Sequence, residues 1–433
     1  MLRTLYDILF TILLVLSAPY YLMRMSRRGN WREGFGQRSG RYDTKLKQAL
    51  TNRHVLWIHA VSVGEVNLCT QLIQAIEARL PNVKIVVSTT TSTGMGELRR
   101  RLPTHISKIY FPIDRRAWVV RALSTIKPKA VVLAEGEIWP NFLWRARERG
   151  TPVFLVNARL SERSWRGYKR FGFLFRPIFA SLAGVGAQNE ADAERLRAIG
   201  CRPEAVRVMG SMKFDAAKLD ERRPLDVPAL FRQLGVSPEA RVLVGGSTHA
   251  GEEALLAEQF LRLRERFPGL FLVLVPRHFE RGREVGRELE ARGVRFAYRT
   301  EVMSRSQFRE GELDCLLVNT TGELKHFYNH ATVIFVGKSL TAQGGQNPIE
   351  PAALGKAIVF GPNMQNFPGV VRSFLAKDGA VQARDAAELE RVLGELLADE
   401  QRRQELGRNA LAVVHENLGA VERTVEMLIS HLE

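Results

Sequence analysis

The stretch VLWIHAVSVGE at positions 55–65 decides the fold. Its apolar run continues without alternating, from Val55 to Val61 with only His59 interrupting, as a strand covered on both faces requires. A helical pattern follows at once, so Ser62, Gly64 and Glu65 fall on a strand-to-helix turn, where backbone N–H groups are directed at a ligand. Outward from this point the alternation repeats. Lys84 to Ser88, Ala130 to Ala134 and Val153 to Val156 read as strands, and Leu68 to Leu80, Ala117 to Ile126 and Trp139 to Arg149 as helices. Such alternation predicts parallel βαβ units in an α/β fold, with ligand loops at the carboxyl ends of the strands.

The pattern stops near Phe214. The segment 216–228 is charged, contains Pro224 and Pro228, lacks apolar periodicity and reads as a linker. Strands resume at Arg241 to Gly245, Leu270 to Val275, Leu316 to Val318, Val333 to Val336 and Ile358 to Phe360. The expectation is therefore two doubly wound domains, 29–215 and 229–433, with the active site in the cleft between them. A length of 433 residues, with 45% hydrophobic and 25% charged, suits two ordinary cores. It excludes a polytopic transporter, a collagen-like fibre and a low-complexity chain.

Charge is divided unevenly between the two halves. Of the net +17, residues 1–215 hold 35 basic and 16 acidic side chains, a balance of +19, and the remainder 28 and 30, a balance of −2. A basic half joined to a neutral one points to two different ligands, one of them an anionic surface or acidic substrate. Cys69, Cys201 and Cys315 are far apart and odd in number, which excludes a disulfide framework and a zinc ribbon. The close pair His326 and His330 lacks the neighbouring Glu of a zinc-protease helix, so no metal is expected there.

From Leu5 to Met23 the chain is almost wholly apolar, with Asp7 its only charge, and as a helix it would span roughly 28 Å. Only Arg3 precedes this run, whereas Arg24, Arg27, Arg28 and Arg32 crowd after it. Pro19 would also follow directly on any cut after Ala18. That arrangement suits a membrane anchor over 1–28, with the rest of the chain on the cytoplasmic side, better than a cleaved signal or a buried core helix. A short span and a helix lying in the interface both fit. Residues 24–53 add nine basic and two acidic side chains, suited to an anionic leaflet or to a solvated linker.

Several loops carry candidate chemistry. Glu65 is a candidate general base, the alternative being that it only complements a helix dipole. TTTSTG at 89–94 follows the next strand, and the hydroxyls of Thr91 and Ser92 suit phosphate or sugar, or else cap a helix. EGEIWPN at 135–141 sets Glu135 and Glu137 one residue apart, to orient a hydroxyl or an Arg, with their proximity raising one pKa, or simply to lie in solvent. Arg159 and Lys213, after later strands, add cationic donors.

In the second half, GGSTHAGEE at 245–253 follows a strand and places Ser247 and Thr248 in a phosphate-accepting loop. Pro276, Arg277 and His278 end the next strand, with Arg277 placed to clamp a phosphate or contact a base. Gly337 and Lys338, then GGQNPIEP at 344–351, are the most informative segment. Gly344 and Gly345 let backbone approach a ligand, Asn347 and Pro348 begin a helix aimed at it, and Glu350 can accept both hydroxyls of a ribose. Neither a Gly-x-Gly-x-x-Gly fingerprint nor a Walker lysine motif is present, which removes nicotinamide enzymes and NTPases.

HAVSVGE at 59–65, TTTSTG at 89–94, EGEIWPN at 135–141, GSMKFD at 210–215, PRH at 276–278 and GGQNPIEPA at 344–352 together resemble the 3-deoxy-D-manno-octulosonic acid (Kdo) transferases of lipopolysaccharide assembly. The resemblance runs over nearly the whole chain. It implies a GT-B glycosyltransferase with two Rossmann-like domains, acting at the cytoplasmic face of a bacterial inner membrane. CMP-Kdo would be the donor and the phosphorylated lipid A precursor, lipid IVA, the acceptor, with inner-membrane phospholipid as a further partner. It also implies Glu65 as base, with Arg277, Gly345, Asn347 and Glu350 on the CMP side. Where the family commonly shows ETE, this chain has Gly136 between its acids.

An inverting displacement would follow, its leaving phosphate stabilised by helix N-termini, Arg277 and Lys338 rather than by a metal, since no Asp-x-Asp is offered and no cofactor is implied. The alternative is another membrane-attached GT-B enzyme using a UDP-sugar. A nucleic-acid binder is disfavoured because the basic half lacks clustered aromatics for base stacking.

Overall fold

The computed structural model describes residues 2–27, 34–51, 53–215, 225–303 and 306–432. Most of the expected linker, 216–224, and the basic positions Arg28 and Arg32 lie outside the described residues. The chain divides into two compact units.

The first unit is built on seven parallel strands: β1 (Val55–His59), β2 (Lys84–Thr89), β3 (Ser107–Tyr110), β4 (Ala130–Ala134), β5 (Val153–Ala158), β6 (Gly184–Ala187) and β7 (Val206–Val208), in the order β3-β2-β1-β4-β5-β6-β7. β1 lies between β2 and β4, with Leu56 opposite Ala130 and His59 opposite Leu133. Successive β1 side chains enter opposite cores. Val55 and Trp57 join Phe111, Phe142 and Phe179 on one face, and Leu56 and Ile58 join Leu72, Ile76 and Val87 on the other. The Trp57 indole N–H donates to the Ser88 hydroxyl at 2.8 Å, which satisfies a polar tip inside that core.

The second unit repeats the plan with β8 (Val242–Thr248), β9 (Phe271–Pro276), β10 (Phe296–Tyr298), β11 (Cys315–Leu317), β12 (Val333–Val336), β13 (Ile358–Phe360) and β14 (Val381–Gln382), in the order β10-β11-β9-β8-β12-β13-β14. In both sheets the strand order reverses beside the first strand, between β1 and β4 and between β8 and β12. Crevices for ligands open at the carboxyl ends of such switch points.

Two expectations are corrected. The second domain does not run to 433: residues Leu418–Glu433 belong with the first unit, and the second comprises Ala217–Asn417. The cause is the helix Ala420–Ile429, whose Val421, Val425 and Leu428 complete the core face that carries Leu56 and Ile58. Asp215 holds its start by accepting the Gly419 and Val421 amide N–H groups at 2.7 Å each. Strands β3, β6, β7, β10 and β14 were not anticipated. They have two to four residues each, and β6 reads Gly-Val-Gly-Ala because a Cβ on Gly184 would stand 2.9 Å from Phe154.

The N-terminal segment forms a helix, Leu2–Arg27, with Pro19 inside it. Its first turns are docked on the first unit. The Tyr6 hydroxyl donates to Asp114 at 2.8 Å, the Asn141 amide donates to Asp7 at 2.7 Å, Arg3 pairs with Glu148, and the Tyr6 ring meets Trp144 edge-on. Leu5, Leu9, Leu13 and Leu16 stay exposed, Leu16 to 75%. Among the described residues no helix is long and apolar enough to cross a membrane. The three cysteines are free and buried.

Candidate functional site

At the carboxyl end of β1 the chain turns into the helix Val63–Arg79, which starts five residues earlier than its apolar spacing suggests. The reason is a reciprocal cap. Ser62 is the N-cap, its hydroxyl accepting the Glu65 N–H at 3.2 Å and donating to Glu65 Oε1 at 2.8 Å, while Glu65 Oε2 accepts the Val61 N–H at 2.9 Å. Glu65 is thus held in a single geometry and 9% exposed. Each carboxylate oxygen keeps a further lone pair. Burial raises its pKa, hydrogen bonds from Val61 and Ser62 oppose the rise, and the charge of Glu135 adds to it. Gly64 is neither crowded nor left-handed.

The loop after β2 is tied to the same turn. Thr91 caps the helix Ser92–Arg101, accepting the Gly94 N–H at 3.0 Å, and its hydroxyl donates to the Val61 carbonyl at 3.0 Å. A Cβ on Gly94 would stand 2.4 Å from Thr89 Oγ1 and 3.0 Å from the Val61 oxygen. Thr91 is therefore a structural brace for the Glu65 turn, whereas Ser92 is exposed at the head of its helix.

After β4, Glu135 is left-handed at φ 56° and Gly136 is not. The strained position is the acid, and a side chain at 136 would meet nothing nearer than the Arg159 oxygen at 3.8 Å. Glycine at 136 therefore does not dictate the turn. Glu135 is engaged by Arg159 at 3.1 Å and Lys213 at 3.5 Å, which gathers residues from three different loops. Asn157, left-handed at φ 50°, accepts the Met212 N–H at 3.1 Å and so fixes the start of the 210–215 segment. Among the described residues no cation pairs with Glu137. It accepts the Trp139 indole N–H at 3.0 Å, and burial, then the charge of Glu65, push its pKa up to about 7. Glu65, Glu135 and Glu137 thus form one carboxylate cluster, with its cations drawn to Glu135.

In the second unit, Ser247 and Lys338 are both left-handed, at φ 53° and 57°. Of the six left-handed non-glycine residues among the described residues, Glu135 and Lys338 follow β4 and β12, Ser247 is near the end of β8 and Asn157 near the end of β5, while Lys127 and Asp378 follow helices; the three at β4, β8 and β12 stand at the switch points, where such strain commonly marks ligand sites. Glu252 organises the second crevice. Fully buried, it accepts the backbone N–H groups of His249 and Lys338 on one oxygen and of Ser339 and Leu340 on the other, at 2.7–3.0 Å. Sequence reasoning passed over this residue because an acid in a first helical turn has an ordinary explanation in the helix dipole.

Thr248 is buried opposite Pro276, and its carbonyl accepts the Arg277 N–H at 3.0 Å, leaving the Arg277 and His278 side chains exposed. His278 stands edge-on to His249 at 5.8 Å. Burial lowers the His249 pKa, and Lys338 and His278 lower it further. Close packing explains Gly337 and Gly345, whose Cβ atoms would meet the Ser247 oxygen at 2.5 Å and Met364 at 2.4 Å; Gly344 and Gly345 are also left-handed.

The helix expected to begin at Asn347 and Pro348 is a single turn, Ile349–Ala352. It is too short to present an N-terminus to a ligand. The Asn347 side chain is spent locally, accepting the Ile349 N–H and donating to Glu350 Oε1, both at 3.1 Å. Glu350 is thereby oriented through Oε1. Among the described residues no three His, Cys, Asp or Glu side chains gather as a metal centre would need.

The family model of the 3-deoxy-D-manno-octulosonic-acid transferase (kdotransferase) matches residues 32–216. Over 418 residues the chain is 33% identical to the 3-deoxy-D-manno-octulosonic acid transferase of Bordetella pertussis, covering 94% of each chain. Over 381 residues it is 29% identical to that of Haemophilus influenzae, covering 87% of each. It is also similar to the crystal structure of UDP-GlcNAc 2-epimerase from Neisseria meningitidis bound to UDP-GlcNAc, with a TM-score of 0.56 at 14% identity, over 87% of this chain and 99% of that one. At that identity the likeness speaks for the fold alone.

Proposed function

This chain belongs to the 3-deoxy-D-manno-octulosonic acid (Kdo) transferases, glycosyltransferases of lipopolysaccharide synthesis, and on that premise we propose that it moves Kdo from CMP-Kdo to the lipid A precursor lipid IVA in one inverting, metal-independent displacement. The acceptor hydroxyl attacks the anomeric carbon of Kdo, the bond from that carbon to the CMP phosphate oxygen breaks, and Glu65 receives the hydroxyl proton. The buried, doubly oriented Glu65 at the carboxyl end of β1 carries this reading, because burial makes the carboxylate a better base than an exposed one. Arg159 and Lys213 serve the phosphorylated acceptor, with Ser92 beside it, while Ser62 and Thr91 hold the Glu65 turn.

On the donor side, the backbone loops braced by Glu252, together with Lys338 and Arg277, take the CMP phosphate, and Glu350 takes the ribose. The helix Leu2–Arg27 lies in the cytoplasmic face of the inner membrane, which covers the exposed Leu5, Leu9, Leu13 and Leu16 and sets the basic unit against an anionic leaflet.

The test uses protein in detergent, CMP-Kdo generated in situ and radiolabelled lipid IVA, with chromatographic separation of products. A Kdo-bearing lipid should appear, inhibited by CMP and not by UDP. In Glu65→Gln its rate should fall on the order of 10²- to 10⁴-fold with CMP binding intact. Near-normal turnover in that variant removes Glu65 from the mechanism.

A further inference from the structure

A groove of about 650 Å³ lies between the N-terminal helix and the start of the helix Arg116–Ile126, and none of its lining residues is among the candidate site residues above. One wall is apolar, from Ile8, Ile12 and Val120, and the two isoleucines are 52% and 51% exposed. The other end carries Arg115 and Arg116, both exposed at the head of a helix of 11 residues. The single carboxylate in the groove, Asp7, is already bound by the Asn141 amide at 2.7 Å. Two guanidinium groups against one carboxylate leave a local excess of one positive charge. One phosphodiester carrying an alkyl chain matches both the charge and the apolar wall. Inorganic phosphate would leave the wall uncovered.

We propose that this groove holds one anionic glycerophospholipid of the host leaflet, its phosphate on Arg115 and Arg116 and an acyl chain along Ile8 and Ile12 towards the exposed Val15. The docked helix supplies half of a lipid site as well as a membrane contact. The inference rests on the reading that this helix lies at the membrane.

The test is native mass spectrometry of the full chain in detergent with phosphatidylglycerol or phosphatidylcholine added at equal concentration. One phosphatidylglycerol adduct per chain is expected, at least tenfold more occupied than with phosphatidylcholine, and lost by tenfold or more in Arg115→Gln/Arg116→Gln. It should persist in Lys45→Gln/Lys47→Gln, which removes the same charge from exposed positions outside the groove. Equal loss in both variants, equal binding of both lipids, or displacement of the adduct by lipid IVA would overturn the assignment. Flotation on phosphatidylglycerol vesicles separates the two readings. A chain that does not float refutes the membrane seat itself, whereas one that floats without a single saturable adduct refutes only the groove.

Discussion

Glu252→Gln offers the sharpest test of how the donor loops are held. The carboxylate accepts four backbone N–H groups, two on each oxygen. The amide is nearly isosteric, yet it keeps one oxygen and turns an NH₂ group toward two N–H donors. Two charge-assisted bonds are lost, each about 1.5–3 kcal/mol, so the variant should lose about 3–6 kcal/mol. That is a large part of the 5–15 kcal/mol that holds a typical domain folded. Hydrogen exchange on the full chain locates the loss. Either the His249 and Lys338 amides or the Ser339 and Leu340 amides should lose protection, depending on which way the amide settles. Urea unfolding should show an earlier transition of the second unit, and CMP should bind at least tenfold more weakly. Four amides still protected, with unfolding shifted by less than about 1 kcal/mol, would refute the view that Glu252 holds these loops.

The two glycines of the helix Ser92–Arg101 should behave in opposite ways. In Gly94→Ala the new Cβ displaces Thr89, Thr91 or the Val61 carbonyl, lowering the unfolding temperature and slowing turnover through the Glu65 turn; in Gly96→Ala, where nothing lies within 4 Å, thermal unfolding should show a gain of about 0.5–1 kcal/mol. Glu137 has a folded pKa of about 7, above its ordinary 4.5, so the folded state binds its proton more tightly than the unfolded chain does. Its contribution to stability is therefore greatest below about pH 4.5 and falls as pH rises toward 7, and unfolding measured across that window should show a shallower decline in Glu137→Gln.

The fold class was legible because strand and helix periods are local. Unbroken apolar runs such as Val55–Ile58 and Val333–Val336 require cover on both faces, and that alone implies parallel sheets between helices. The short strands β3, β6, β7, β10 and β14 escaped because two to four residues hold only one or two strand periods, too few to set a pattern apart, and their pairing is supplied by neighbours.

The motif loops were likewise legible, since glycines, hydroxyls and acids at strand ends have few other uses together. Ser62-Val63-Gly64-Glu65 was readable in full as a capping box, a signal the dipole argument obscured. What sequence by itself determined was therefore the alternation, the two sheets, the uneven charge and the position of each candidate side chain along the chain. Tertiary structure alone decided that Arg159 and Lys213 go to Glu135 rather than to Glu137, and that Glu252 collects amides 86 to 88 residues away. It also decided that the last helix returns to the first unit. Each of these depends on groups distant in the chain being brought within hydrogen-bonding or van der Waals reach, and neither periodicity nor composition encodes that proximity.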